Sequence, residues 1–195
     1  KPLKYRHMYL GEMVGSGTQV FDNIVSRKIT AKEIAGFDNI ISGVDWGYYP
    51  DPWVFIRTYY HAGTRTLYIF DEARGNKMSN KVTAGIVKSK VTPGELILAD
   101  LADEKACADY RSYGLRCWSA RKGPGSRELG VRWLQGLNAI VIDPDRCAPT
   151  LQEFLEWEYE VAPDGTVLGT LMDANDHGID AARYACSRIW QRKGA

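Results

Sequence analysis

The chain has 195 residues, 45% hydrophobic and 25% charged, with a formal net charge of +1. That length and composition suit one globular domain and exclude a disordered or fibrous chain. No apolar run approaches the roughly 20 residues of a membrane span, no signal-peptide core follows the first residues, and the near-zero total charge argues against a broadly basic nucleic-acid binder.

Residues 1–38 are polar and mixed, broken by Gly11, Gly15 and Gly17. They read as an arm or linker of short extended pieces from a missing upstream domain. The start at Lys1, without Met, suggests a piece of a longer protein. The regular domain is expected over 39–195. It opens with a β-rich run at 39–47, stopped by Gly47. A β-branched and aromatic strand follows at 53–60, then a turn at 62–65 and a returning strand at 66–71.

The second half alternates. Ser79 is placed to cap a helix carrying Val82, Ile86 and Val87. Pro93-Gly94 breaks it. Residues 95–100 form a strand apolar enough to be central. A helix spans 103–113 with Gly114 just past its end, and a strand spans 115–120. Ser126 caps a helix reaching 137, a strand covers 139–143, and a helix covers 150–159. Asp164-Gly165 marks a hairpin between short β-runs. A final amphipathic helix spans 176–192. A β-meander followed by alternating strands and helices predicts an α/β fold: a mixed sheet flanked by helices. Trp53, Phe55, Tyr68, Phe70, Trp133, Phe154 and Trp157 are its expected aromatic core.

Cys107, Cys117, Cys147 and Cys186 match no zinc spacing and read as reduced, mostly buried thiols. With three histidines, His7, His61 and His177, any metal would lean on carboxylate oxygens, which suit Mg²⁺ or Mn²⁺.

Asp45 and Asp100 each end an apolar strand. In an open α/β sheet, ligands bind beyond the carboxyl ends of parallel strands. If the two strands are parallel neighbours, the two carboxylates lie side by side. Asp176-His177-Gly178-Ile179-Asp180 brings further acids to the start of the last helix, with His177 and Asp180 on one face. Asp176 reads as the cap or an early-turn residue. Clustered carboxylates repel, and a divalent cation removes that cost. Two ions about 3.5–4 Å apart, sharing a carboxylate, suit in-line displacement at a phosphodiester. The plainer alternative is that each aspartate caps a turn or a helix. Trp46, next to Asp45, is placed to line the site.

The total charge hides an asymmetry. Residues 105–132 carry seven basic and two acidic side chains, net +5, whereas 143–180 carry ten acidic and one basic, net −9. Within the basic stretch, 120–127 is a Gly/Pro loop running into a helix N-terminus, suited to phosphate oxygens. It lacks the Gly-Lys-Ser/Thr ending of a P-loop.

Four segments, in order, resemble the C-terminal nuclease domain of the large terminase subunit of tailed bacteriophages. They are Gly43-Val44-Asp45-Trp46-Gly47, Leu98-Ala99-Asp100-Leu101-Ala102-Asp103-Glu104-Lys105, Ala120-Arg121-Lys122-Gly123-Pro124-Gly125-Ser126 and Asp176-His177-Gly178-Ile179-Asp180-Ala181-Ala182-Arg183-Tyr184-Ala185. Tyr5-Arg6-His7-Met8-Tyr9-Leu10-Gly11-Glu12 is similar to the end of that family's ATPase domain and its linker. The last motif of the domain is the most specific. The second departs from the family's Asp-Ser-Ala-Glu-Pro-Lys.

The resemblance implies a ribonuclease H-like fold and a metal-dependent endonuclease that cuts concatemeric double-stranded DNA. It implies Asp45, Asp100 and Asp180 as ligands of two Mg²⁺ or Mn²⁺ ions. Asp45 would bridge them, with His177 a further ligand or a support. Asp103 and Asp176 would support the ligands from behind, and Arg121, Lys122, Ser126 and Arg127 would meet DNA. The packaging ATPase would lie upstream. The implied partners are the small terminase subunit and the portal, at work in the host cytoplasm with no membrane contact. The alternatives are a Holliday-junction resolvase or transposase-like nuclease of the same fold, or a non-catalytic module docking to portal or DNA.

Overall fold

The computed structural model describes residues 17–121 and 123–191. The Tyr5-to-Glu12 motif and Lys122 lie outside the described residues. In chain order the strands are β1 (Ile24–Ser26), β2 (Ile40–Asp45), β3 (Trp53–His61), β4 (Thr66–Gly75), β5 (Leu96–Ala99), β6 (Arg116–Ser119), β7 (Ala139–Ile142), β8 (Tyr159–Val161) and β9 (Val167–Leu171). The helices are α1 (Ala31–Ala35), α2 (Asn80–Lys90), α3 (Glu104–Ser112), α4 (Ser126–Gln135), α5 (Ala148–Glu156), α6 (His177–Ala185) and α7 (Ser187–Trp190).

Seven strands form one mixed sheet in the order β1-β7-β4-β3-β2-β5-β6. The expected meander is there: β2, β3 and β4 pair antiparallel. All other pairings in this sheet are parallel. Trp53 to Ile56 are buried without a break, as suits a central strand covered on both faces. Val54, Ile56, Leu98 and Ile142 pack with Leu134 of α4, Phe154 of α5 and Ile179 of α6. Val44, Phe55 and Ala99 face Val87 of α2 and Cys107 and Tyr110 of α3. Trp53, Phe55, Phe70, Phe154 and Trp157 are buried as expected, whereas Tyr68 and Trp133 are half-buried. All four cysteines are free and buried. Among the described residues no helix is long and apolar enough to cross a membrane.

Several elements differ from the sequence reading. The described part of the 1–38 segment is built into the domain: β1 pairs with β7, and Val20, Phe21 and Ile29 are buried. Ser126 does not cap α4. Gly125, at φ +72, holds that position with no side-chain hydrogen bond. Helix α5 begins at Ala148 rather than 150, because Pro149 fits a first turn whose amides need no intrahelical acceptor. The last helix is two helices. Cys186 closes α6 through its amide to Ala182 O, and α7 restarts at Ser187. Ser79 caps α2, Gly114 takes φ +83 after α3, and Asp164-Gly165 turns the β8–β9 hairpin, all as expected.

Candidate metal centre

Register places the first two carboxylates. β2 and β5 run parallel with Val44 opposite Ala99, so Asp45 and Asp100 leave the sheet at the same edge. The Asp100 amide donates to Val44 O at 3.2 Å, tying the two strand ends together. Helix α6 brings the third. It crosses so close over β2 that a Cβ on Gly43 would sit 1.8 Å from Ala181 O. Only glycine permits that approach, which sets Asp180 in the first turn of α6 above Asp45. The start of α6 is pinned as well. Gly178 N donates to Glu153 Oε2 at 2.6 Å, and a Cβ there would strike Thr150 Oγ1 at 2.4 Å.

Asp45, Asp100 and Asp180 line one cleft of about 290 Å³ with Ser126, Arg127, Asp173, Asp176, Arg183 and Tyr184. Asp45 is 9% exposed. Burial pushes its carboxyl up to about 6, its hydrogen bond with His177 pulls the other way, and the charges of Asp180 and Asp100 add to the rise. His177 Nδ1 lies 2.9 Å from Asp45 Oδ2, and that contact raises the imidazole pKa. His177 Nε2 is 3.7 Å from Asp51 Oδ1, so the ring stands between two carboxylates. Asp180 receives Nε and Nη2 of Arg183 at 3.1 and 2.8 Å and the Tyr184 hydroxyl at 3.2 Å. Arg127 bonds Asp176 and lies 3.2 Å from Asp173. Burial raises the Asp176 carboxyl, with Asp180 adding to the rise and Arg127 opposing it.

The donor chemistry fits a divalent ion of the Mg²⁺ or Mn²⁺ type: three converging aspartates, one of them held up by burial and by its neighbours' charge. As the side chains stand, no three acidic, histidine or cysteine side chains among the described residues surround a common point. Asp180 faces Arg183 and Tyr184, and Asp45 faces His177. Ion binding therefore calls for a shift of Asp180, both of whose oxygens accept from Arg183, while Asp45 can keep its contact with His177 through Oδ2.

A family model described as the terminase RNase H-like domain matches residues 45–188. The chain belongs to this family. It is 40% identical over 196 residues to the terminase large subunit of Bacillus phage SPP1, covering 98% of this chain and 46% of that protein. It is 28% identical over 144 residues to the PBSX phage terminase large subunit of Bacillus subtilis strain 168, covering 74% of this chain and 33% of that protein. The chain thus spans less than half the length of either curated relative. Among solved structures it is similar to the nuclease domain of the SPP1 large terminase with bound manganese, at TM-score 0.80 and 38% identity, covering 86% of this chain and 97% of that one. The terminase domain has the ribonuclease H-like fold that its sequence resemblance implied.

Within the terminase domain the expected site residues part company. Asp45, Asp100, Asp180, Asp176, Ser126 and Arg127 line the cleft, and His177 reaches it through Asp45. Asp103 is not among the lining residues. Its Oδ1 accepts from Ala106 N at 2.8 Å and caps α3. Arg121 lines a different pocket. Trp46 packs edge-on to Tyr110 with ring centroids 5.0 Å apart, on the α3 side of the sheet. Sequence reasoning gave no role to Arg183 and Tyr184, although their spacing of three and four from Asp180 on a helix signals contact. It gave none to Asp173 or Glu153 either, and no local pattern distinguishes those two from the other acids of the segment.

Proposed function

We propose that this chain is a divalent-metal-dependent DNA endonuclease domain that cuts concatemeric double-stranded viral DNA during packaging. The observation that carries this reading is the convergence of Asp45, Asp100 and Asp180, from two parallel strand ends and one helix, in a single cleft. The manganese bound to the 38%-identical SPP1 nuclease domain supports it. Asp45, Asp100 and Asp180 would hold the metal, two ions in all. When bound, a divalent ion supplies Lewis-acid polarisation of a phosphoryl oxygen and stabilises charge on the leaving oxygen. His177 orients the Asp45 carboxylate, as hydrogen-bonded supports do at metal sites. Arg183 and Tyr184 hold Asp180 in the metal-free cleft, and with metal bound Asp180 would turn from them. Arg127, at the cleft rim, would pair with a phosphate oxygen in exchange for Asp173 or Asp176. Small terminase subunit and portal are the proposed partners of the longer protein, acting in the host cytoplasm.

The test is nicking of supercoiled plasmid by this chain. Mn²⁺ or Mg²⁺ should support cleavage, EDTA should stop it, and Asp100→Ala or Asp180→Ala should reduce it at least 100-fold. Full activity in either variant, or in EDTA, overturns the reading. Branched DNA cut far better than linear duplex would favour a junction resolvase instead.

A further inference from the structure

A second pocket, of about 380 Å³, lies at the carboxyl end of β6, lined by Ser119, Arg121, Ser187, Arg188 and Gln191. It shares no lining residue with the carboxylate cleft. Its chemistry is the reverse of the cleft's. Arg121 and Arg188 are exposed, and among the described residues neither has an ion-pair partner. The nearby carboxylate, Glu104, already accepts from Ser119 Oγ and from Arg111. Ser187 is 1% exposed, and its hydroxyl is buried without a hydrogen-bond partner. A buried hydroxyl left unpaired is unfavourable, and each instance in a native fold asks for an explanation. Gln191 Nε2 donates to Arg121 O at 2.7 Å, which ties the end of α7 to the loop after β6 and holds the two arginines on one pocket.

Two unpaired guanidiniums and a free hydroxyl donor suit a group of tetrahedral oxygens with negative charge. Ser119 pairs in register with Ala99, the residue before Asp100. Ser119, at one side of the pocket, is therefore about one strand spacing, ~5 Å, from Ala99. A DNA strand carries one phosphate per roughly 3.4 Å of helix axis, so a duplex placed at Asp100 presents a neighbouring phosphate within reach. We propose that Arg121, Arg188 and Ser187 form a phosphate pocket that holds a backbone phosphate next to the one at the carboxylates. The choice of DNA as the phosphate's source, and its place next to a phosphate at the carboxylates, rest on the nuclease reading.

The test is binding of a labelled 20-base-pair duplex in EDTA, over a salt series, by fluorescence anisotropy. Arg188→Gln should weaken binding several-fold and flatten the dependence of log K on log salt by about one, at an unchanged melting temperature. Arg188→Lys should keep the slope, because the charge remains, and Ser187→Ala should weaken binding less than Arg188→Gln. Inorganic phosphate, followed by the NMR shifts of arginine side-chain N–H groups, forms the second arm. A phosphate response lost in Arg188→Gln, with duplex binding unchanged, would assign the pocket to free phosphate and overturn the DNA source. Unchanged duplex affinity and slope with no phosphate response would overturn the pocket itself. The nuclease reading fails separately: if Mn²⁺ supports no plasmid cleavage while Arg188→Gln still loses a unit of slope, the pocket stands alone.

Discussion

Asp45 sits where burial and two neighbouring aspartates all disfavour its charge, and His177 works against them. A group kept in such surroundings without metal destabilises the fold, as functional clusters do when activity and stability conflict. Replacing its charge with a neutral amide should therefore help the metal-free protein. Asp45→Asn is expected to raise the melting temperature in EDTA and to lose the further rise that Mn²⁺ gives the wild-type chain. Paired thermal scans with and without Mn²⁺ check this. A lower melting temperature in EDTA would mean that Asp45 is structural. Asp45 and Asp100 were legible as strand-end positions from hydrophobic pattern, whereas Asp180 was singled out among the acids at the start of the last helix only by the family resemblance. Their present partners were not. Arg183 and Arg127 meet acids through packing between helices and loops that no single segment encodes.

At the scale of elements, the site depends on how closely α6 lies on β2. Gly43→Ala places a methyl group against a backbone carbonyl, which cannot move without shifting the helix. Overpacking of this kind costs about 1–3 kcal/mol, and more where backbone must yield. The variant should unfold at lower denaturant and lose metal-dependent cleavage, because Asp180 rides on the displaced helix. Helix α1 offers an independent check far from the cleft. Thr30 and Glu33 form a reciprocal cap, and Arg27 also bonds Glu33. Its bond to Arg27 is the main cause, with Thr30 assisting, that lowers the Glu33 carboxyl to about 2. A depressed carboxyl stabilises above its unfolded value and loses that contribution as pH falls through about 2. Thr30→Ala should move the Glu33 titration upward, read by carbon NMR, and cost about 1 kcal/mol of stability. An unmoved titration would contradict the capping account. Long periodic elements such as β3, β4 and α2 were legible. The three-residue β1 was not, because an edge strand that short carries no alternation, and Asn23 sets its place by bonding Leu134 O and Leu137 O. The break at Cys186 was hidden because the apolar face continues across it from Ile179 to Ile189.

For the whole molecule, the formal charge of +1 conceals two opposed segments, and the fold sets them against each other. Arg127 of the basic stretch bonds Asp176 of the acidic one, so part of each charge is spent internally. What remains is a carboxylate cleft and, beside it, a pocket carrying Arg121 and Arg188. A duplex would then need metal at the first and phosphate contacts at the second. Metal binding by the three aspartates is tested by the anomalous difference map of crystals soaked in Mn²⁺. Peaks are expected in the cleft, bonded to carboxylate oxygens of Asp45, Asp100 and Asp180, with Asp180 turned away from Arg183. Peaks only elsewhere, with Asp180 still held by Arg183 and Tyr184, would contradict it.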